Sequence, residues 1–154
     1  MRVAKNGTEH THPDYVDAIR NKEDPGSLMV RFAPDGIALT TKRTIYWEAK
    51  SGNNLERFAY ETYMNYYAMG VAVMVFVRRN DGCVYWQWVQ CIGFVPSCDV
   101  IGRHLPDRRH PLDEDDWICP RMGHGYAGSG SGTAYREIDF SSLNQVEDWH
   151  VRGN

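Results

Sequence analysis

The sequence predicts one α/β domain with a mixed central sheet flanked by helices, and three observations predict it. Two β-branched and aromatic runs flank the polar tetrapeptide "TTKR", which is the pattern of a β-hairpin. Apolar residues at helical spacing follow, from Leu55 to Met69. The segment "VAVMVFV" is then an almost continuous β-branched run, typical of a strand buried on both faces. Strands interrupted by a helix in this order favour a sheet covered by helices.

The composition is that of an ordinary soluble domain. The 154 residues suit a single domain, 1–154, and the apolar fraction of 42% and charged fraction of 24% are close to average. The net charge of −3 means that a nucleic-acid partner would have to meet a local basic face. The sequence shows no signal peptide and no apolar run of membrane length, and its cysteines are scattered. We therefore expect a cytoplasmic protein with reduced thiols and no membrane partner.

The first part of the predicted core, which spans about 13–95, contains a short helix and three strands. Proline suits an early helical position, so we expect a helix over Pro13–Arg20. The apolar run Leu28–Phe32 indicates a strand. Ile37–Leu39 and Thr44–Trp47 are the two predicted strands of the hairpin.

The helix after the hairpin has the clearest signals. Asn53 is its predicted N-cap, and Glu56 three residues later resembles a capping box. Gly70 is expected to end it. The buried strand Val71–Val77 follows, and the turn "RNDG" joins that strand to a partner over Val84–Val95.

The partner strand has two different faces. Tyr85, Gln87 and Val89 alternate along it with Trp86, Trp88 and Gln90. We expect one set to face the core, while the other packs against a second subunit or stacks on a base.

The last third of the chain lacks clear periodicity. Residues 96–133 hold four prolines and a "GSGSG" tract, and an irregular segment of this length is usually functional or partly disordered. A final strand is expected over Ala134–Phe140. A short helix capped by Ser141 or Ser142 should follow, so that these two elements occupy about 134–150.

The hairpin carries charged residues suited to holding a divalent metal ion. Asp35 precedes its first strand, and Glu48 and Lys50 share one face of its second strand. Mg²⁺ prefers hard oxygen ligands, so the two carboxylates and the backbone carbonyl of Ala49 would suit it. The Ala49 side chain is expected to point the other way, towards a covering helix. Lys50 would orient or deprotonate a water, or neutralise charge on a phosphate.

The structural alternative for the same residues is simple. Asp35 would be a turn residue, and Glu48 and Lys50 would form a surface pair on a strand.

Pro34-Asp35 and Glu48-Ala49-Lys50 resemble the "PD…ExK" motif of the PD-(D/E)XK nuclease superfamily. The predicted order of elements from Pro13 to Val77 is similar to the α-β-β-β-α-β, restriction-endonuclease-like core of that family. The tripeptide "PDG" at the start of a strand is also similar to the phage exonuclease and Holliday junction resolvase branches. The resemblance implies this core, followed by a loop-rich C-terminal part.

The resemblance also implies a Mg²⁺-dependent DNA endonuclease, with Mn²⁺ as a substitute metal. Asp35 and Glu48 would bind the metal, and Lys50 would be the catalytic lysine. Family members often add an acid from the first helix, for which Asp17 is the candidate and Glu9 the alternative. Enzymes of this size in the family include Holliday junction resolvases, which act on branched DNA as homodimers. A phage-encoded enzyme acting in the host cytoplasm would fit.

Arginines in the middle and later parts of the chain are candidates for contacts with DNA phosphates. The alternative is a solvated face balanced by the acidic run Asp113–Asp116. The candidates are Arg78, Arg79, Arg103, Arg108, Arg109 and Arg121.

Other functions remain open. A phage-type exonuclease is an alternative enzyme, and a non-cleaving nucleic-acid-binding or anti-defence module is an alternative use of the same fold. A zinc-stabilised interaction domain is a third, although the spacings of its candidate ligands match no tight structural zinc signature. Those ligands are Cys98, His104, His110, Cys119 and His124.

Overall fold

The computed structural model describes residues 2–5, 29, 32–104, 112, 115–119 and 134–146, with backbone alone at 2–5 and 104. The two α-helices among these residues are α1 (Arg57–Ala68) and α2 (Ser97–His104). The strands are β1 (Arg2–Lys5), β2 (Gly36–Leu39), β3 (Thr44–Ser51), β4 (Asn54–Glu56), β5 (Ala72–Arg78), β6 (Val84–Trp88), β7 (Tyr135–Glu137) and β8 (Asn144–Gln145).

Six of these strands form one mixed sheet in the order β1-β2-β3-β5-β6-β8. The central pair β3–β5 is parallel, and every other neighbouring pair is antiparallel. Strands β4 and β7 form a separate antiparallel pair. The predicted mixed α/β class is therefore confirmed for the described part of the chain.

The predicted hairpin is formed by β2 and β3. Gly36 lies opposite Trp47, so β3 continues through Glu48, Ala49 and Lys50 beyond the start of β2. Thr40 closes the turn, because its backbone N–H and its hydroxyl both bond to the Arg43 carbonyl, at 3.1 and 2.8 Å. Among the described residues no strand pairs with that edge of the second half of β3, which we call its open edge.

The strand predicted over Leu28–Phe32 is wrong at the two residues that the structure describes. Met29 is helical and Phe32 lies in a turn. The Phe32 side chain is buried, with its ring centroid 6.1 Å from that of Phe58 on α1. A short apolar run fits a strand and a buried helical segment equally well.

The outer neighbour of β2 is instead β1, at Arg2–Lys5. The predicted helix Pro13–Arg20 lies outside the described residues. The restriction-endonuclease-like order of elements therefore stays a prediction.

The start of α1 differs from the predicted capping box. Residues Asn54–Glu56 are extended and pair with β7, and the N–H of Arg57 donates to the Ala134 carbonyl at 2.7 Å. The helix begins at Arg57, and the N-cap Glu56 makes no side-chain capping bond. Pairing with a distant strand has therefore displaced the local capping signal of Asn53.

Glycines end α1 and form the next hairpin turn, as predicted. Gly70 has φ of 84°, and the N–H of Val71 donates to the Tyr66 carbonyl, which satisfies the end of the helix. Gly82 has φ of 89° in the β5–β6 turn. Asp81 stabilises that turn by accepting the N–H of Cys83 at 2.9 Å.

The core lies between α1 and one face of the large sheet. Its centre is formed by three helix-side residues and three alternate residues of β5, all of them almost fully buried. These are Leu55, Ala59, Tyr63, Val73, Val75 and Val77. On β6, Tyr85 packs on Phe140 and Gln87 bonds to Ser142, so this set of the two predicted faces turns inward. Trp86 and Trp88 lie on the opposite face.

The segment 96–133 contains more order than predicted, because residues 97–104 form α2. Val100 buries its side chain, and the Ser97 hydroxyl donates to the Asp116 carbonyl at 2.6 Å. Asp115 binds Arg57 at 2.8 Å, and Arg136 lies over the Trp117 ring. Asp115 and Asp116 thus connect residues 115–119 to the start of α1 and to β7.

The predicted last strand is confirmed at Tyr135–Glu137, but it pairs with β4 and not with the large sheet. The helix expected after it is wrong over the described residues. Asp139 caps a single 3-10 turn, Phe140–Ser142, and β8 then pairs with β6. The carboxylate of Asp139 outcompetes the serines as the cap, since it accepts both the N–H and the hydroxyl of Ser141.

Neither of the described helices is long and apolar enough to cross a membrane.

Leu55→Ala should lower the free energy of unfolding by about 2–5 kcal/mol, because Leu55 is fully buried and its loss leaves a cavity. Leu39→Ala is the matched control, since Leu39 is 49% exposed, and it should change stability by less than about 0.5 kcal/mol. Urea denaturation followed by circular dichroism measures both. Equal effects would contradict the placement of the core.

Candidate active site

Asp35 and the second half of β3 are held together by hydrogen bonds between side chain and backbone. The N–H of Asp35 donates to Glu48 Oε2 at 3.2 Å, and the N–H of Ala49 donates to Asp35 Oδ2 at 2.9 Å. The two acids meet because Asp35 stands directly before β2, whose first residue lies opposite Trp47. Each carboxylate is thus fixed by the other strand's backbone.

Lys50 completes this cluster from the same face of β3. Its Nζ lies 3.0 Å from Glu48 Oε1. The Lys50 side chain is 22% exposed and that of Glu48 is 9% exposed, so the ion pair lies where the buried layer opens towards solvent. The structure therefore brings Asp35, Glu48 and Lys50 together.

Burial of Glu48 under α1 dominates the electrostatics of the cluster. Loss of solvent raises the pKa of the Glu48 carboxyl above its ordinary value of 4.5, and the nearby charge of Asp35 raises it further. The ammonium of Lys50 and a hydrogen bond from Tyr63 act in the opposite direction without cancelling the effect of burial. Carboxyls with raised pKa values at the edge of a buried layer are frequent at functional sites.

Tyr63 is a member of the cluster that the sequence did not single out. It is 1% exposed on α1, and burial followed by the charge of Glu48 raises its pKa well above 10. Its hydroxyl therefore stays protonated and donates to Glu48. In the sequence, Tyr63 was one aromatic among several in the apolar stripe. The signal that could have identified Tyr63 was its position on the helix that was expected to cover β3.

The oxygen atoms of the cluster are of the kind that binds a hard divalent cation. One oxygen of Asp35 is engaged by Ala49, which leaves Asp35 Oδ1 as a further acceptor. The N–H and C=O of one strand residue point to the same side, so the Ala49 carbonyl also faces Asp35 at the open edge of β3. A cation held by these oxygens would offset both the repulsion between the carboxylates and the cost of burying the Glu48 charge.

The Ala49 side chain does not face a covering helix. It lies on the opposite face from Glu48, as strand alternation requires, but it is exposed, so that part of the prediction is wrong. Its role in the cluster comes from its backbone alone.

The described basic candidates lie at the carboxyl-terminal end of β5 and on α2. Arg78 is exposed at the end of β5. Arg79 lies 3.7 Å from Asp81, and Arg103 donates to Glu137 at 3.1 Å. The other predicted site residues lie outside the described residues: Glu9, Asp17, Arg108, Arg109 and Arg121.

Within the described ranges, no group of three or more His, Cys, Asp or Glu side chains is close enough to hold a metal ion. A third protein carboxylate for the Asp35–Glu48 pair would have to come from elsewhere, as Asp17 was predicted to. All four cysteines are free thiols. His110 and His124 are outside the described residues, so the zinc alternative stays untested.

Comparison with protein-family models, curated proteins and solved structures finds no match for this chain.

Replacing Glu48 should remove a pH-dependent destabilisation. The folded state holds the Glu48 proton more tightly than the unfolded state, so stability falls as pH rises from about 4.5 through the raised pKa. Glu48→Gln does not titrate. Urea denaturation in EDTA should therefore show wild type losing free energy of unfolding relative to Glu48→Gln across this window. A difference that is constant or that grows in favour of wild type would contradict the raised pKa.

Tyr63→Phe should lower the free energy of unfolding at pH 7 by about 1–3 kcal/mol, because it leaves a buried carboxylate without one donor. The loss should shrink as the pH falls through the raised pKa of Glu48, because the protonated carboxyl carries no buried charge for Tyr63 to stabilise. Tyr67→Phe is the matched control, since Tyr67 is 45% exposed on the same helix. Equal losses for the two variants at pH 7 would contradict the Tyr63–Glu48 bond.

Proposed function

We propose that this protein is a Mg²⁺-dependent DNA endonuclease that hydrolyses phosphodiester bonds at the Asp35–Glu48–Lys50 cluster. One observation carries the proposal. Two carboxylates and a lysine converge at the open edge of β3, where Lys50 lies 3.0 Å from a Glu48 that is largely buried. The resemblance of the same residues to the "PD…ExK" motif supports it independently of their geometry.

Asp35 and Glu48 would hold the metal, together with the Ala49 carbonyl, and Mn²⁺ would replace Mg²⁺. When bound, the metal would polarise the phosphate and lower the pKa of a water. The two backbone donors to the carboxylates keep those side chains in place before the metal binds. Such fixed ligands reduce the reorganisation that binding requires.

Lys50 acts on the water and on charge that develops at the phosphate. Its ammonium is partly solvent-exposed, so it can reach a substrate at the edge of the sheet while still touching Glu48. Tyr63 holds the Glu48 carboxylate from the buried side. Glu48 is thereby positioned between a buried donor and an accessible one.

The finer features of the proposal come from the family resemblance. They are a structure-selective reaction on branched DNA, as in Holliday junction resolvases, a homodimer that cuts two strands, and Asp17 as a further acid. A phage-type exonuclease would use the same cluster on duplex ends.

A second candidate is a non-cleaving nucleic-acid-binding module that works without a metal ion. The observation that favours it is the Glu48–Lys50 ion pair itself, since a lysine at 3.0 Å already stabilises the buried carboxylate. Cleavage assays separate the two candidates.

Lys50→Ala should lower the rate of Mg²⁺-dependent cleavage by about 100-fold or more, because it removes charge stabilisation at the reacting phosphate. Labelled linear duplex, single-stranded and four-way-junction DNA are the substrates, with EDTA expected to abolish cleavage. Lys42→Ala, which alters an exposed lysine in the β2–β3 turn, is the matched control and should cleave like wild type.

Two results would overturn this assignment. Full activity of both Lys50→Ala and Glu48→Gln would exclude the cluster as the catalytic centre. Inactivity of the native protein on all three substrates with Mg²⁺ and Mn²⁺, together with DNA binding, would establish the non-cleaving module.

A further inference from the structure

A polar cleft of about 540 Å³ is lined in part by Gly52 and Asn53, which follow the proposed catalytic cluster along the chain. We call it the Arg79–Arg103 cleft, and the lining residues that matter here are Gly52, Asn53, Arg79, Asn80, Arg103 and Phe140. Its volume is within the range of about 300–1,000 Å³ that is usual for pockets that hold one small ligand.

The cleft opens where the parallel strands β3 and β5 end. Ser51 is paired with Arg78, and the N–H of Gly52 donates to the Arg78 carbonyl at 3.1 Å. Gly52 follows Lys50 by two residues along the chain. In α/β sheets, ligands commonly bind in a crevice outside the carboxyl ends of the strands. A nucleic-acid strand bound at Lys50 would therefore lead towards this cleft.

The chemistry of the lining suits a nucleotide. Two guanidinium groups can bind a phosphate, and the amide side chains of Asn53 and Asn80 can bind a sugar or base edge. Phe140 supplies an aromatic ring, and the Arg79 guanidinium lies 5.4 Å from its centroid. Bases stack on such rings with little dependence on sequence.

Two carboxylates also line the cleft, and neither removes its capacity for an anion. Asp81 is 3.7 Å from Arg79 in a pair whose side chains are about half exposed, so a phosphate can take its place. Glu137 is largely buried and accepts one bond from Arg103. A guanidinium has five N–H donors, so Arg103 keeps others for a ligand.

We propose that the Arg79–Arg103 cleft binds one nucleotide of a single-stranded nucleic-acid segment, adjacent to the phosphodiester at Lys50. This inference rests on the proposed function for its choice of substrate. It adds that the strand leaves the catalytic cluster unpaired, because the Phe140 ring in the cleft can stack only on a base that is not already paired and stacked within a duplex. Junctions, flaps and frayed ends offer such a strand.

Fluorescence anisotropy tests the cleft without any cleavage. The probes are a fluorescein-labelled 12-nucleotide oligo(dT) and a labelled hairpin duplex, each titrated with the full chain in EDTA. Wild type should bind the single strand more tightly than the duplex. Arg79→Gln should weaken single-strand binding about tenfold and lower the dependence of affinity on salt concentration.

Matched variants keep the test independent of folding. Arg43→Gln alters an arginine that stacks on Trp88 instead, at the other end of β3, and should bind like wild type. Arg103→Lys keeps a cation for Glu137 but loses the planar group, and it should bind more weakly than wild type. Circular dichroism melting curves establish that each variant is folded.

Unchanged single-strand affinity in folded Arg79→Gln, or equal losses in Arg43→Gln, would overturn the inference. So would tighter binding of the duplex than of the single strand. Binding that depends on Arg79 without any cleavage would refute the nuclease and retain the cleft. Cleavage that is unaffected by Arg79→Gln in both KM and kcat would refute the cleft and retain the nuclease.

Discussion

The parallel pairing of β3 with β5 determines most of what surrounds it. Parallel neighbours cannot be joined by a tight turn, so the chain between them must return along one face of the sheet. Helix α1 forms this crossover connection. The crossing places Tyr63 over the face of the sheet that carries Val75. Glu48 lies directly opposite Val75, so the same packing that forms the core also buries this carboxylate.

A buried carboxylate needs partners, and the two side chains that bond to Glu48 differ in kind. Tyr63 is sealed in the core and keeps its proton, whereas Lys50 reaches solvent. An apolar residue at position 48 would suit the core better, since a buried charge costs free energy even when it is paired. Titratable groups in such costly positions are more frequent at functional sites than elsewhere in proteins.

Local signals in the sequence predicted the elements whose causes are local. The turn around Thr40, the stop at Gly70 and the turn at Gly82 each depend on a few adjacent residues, and each formed as predicted. The convergence of Asp35 with Glu48 followed from the same logic, because a short hairpin fixes which residues are opposite each other.

The failures have a common cause, which is pairing between distant parts of the chain. Asn53 lost its capping role because Asn54–Glu56 found a partner in Tyr135–Glu137. Phe32 packs against Phe58 on α1 and is not in the predicted strand. Tyr63 belongs to the candidate site only because α1 places it next to Glu48 on β3. No pattern within a window of ten or twenty residues contains such information.

The acceptance of the Ala49 N–H by Asp35 has a consequence for sequence variation. Beyond the start of β2, the Asp35 carboxylate accepts the backbone N–H that a neighbouring strand would otherwise accept. Residue 49 therefore contributes to the Asp35–Glu48–Lys50 cluster only through its main chain. Its side chain points to solvent. The position is therefore permissive for almost any amino acid, with proline as the exception, since proline alone would delete the amide that Asp35 holds.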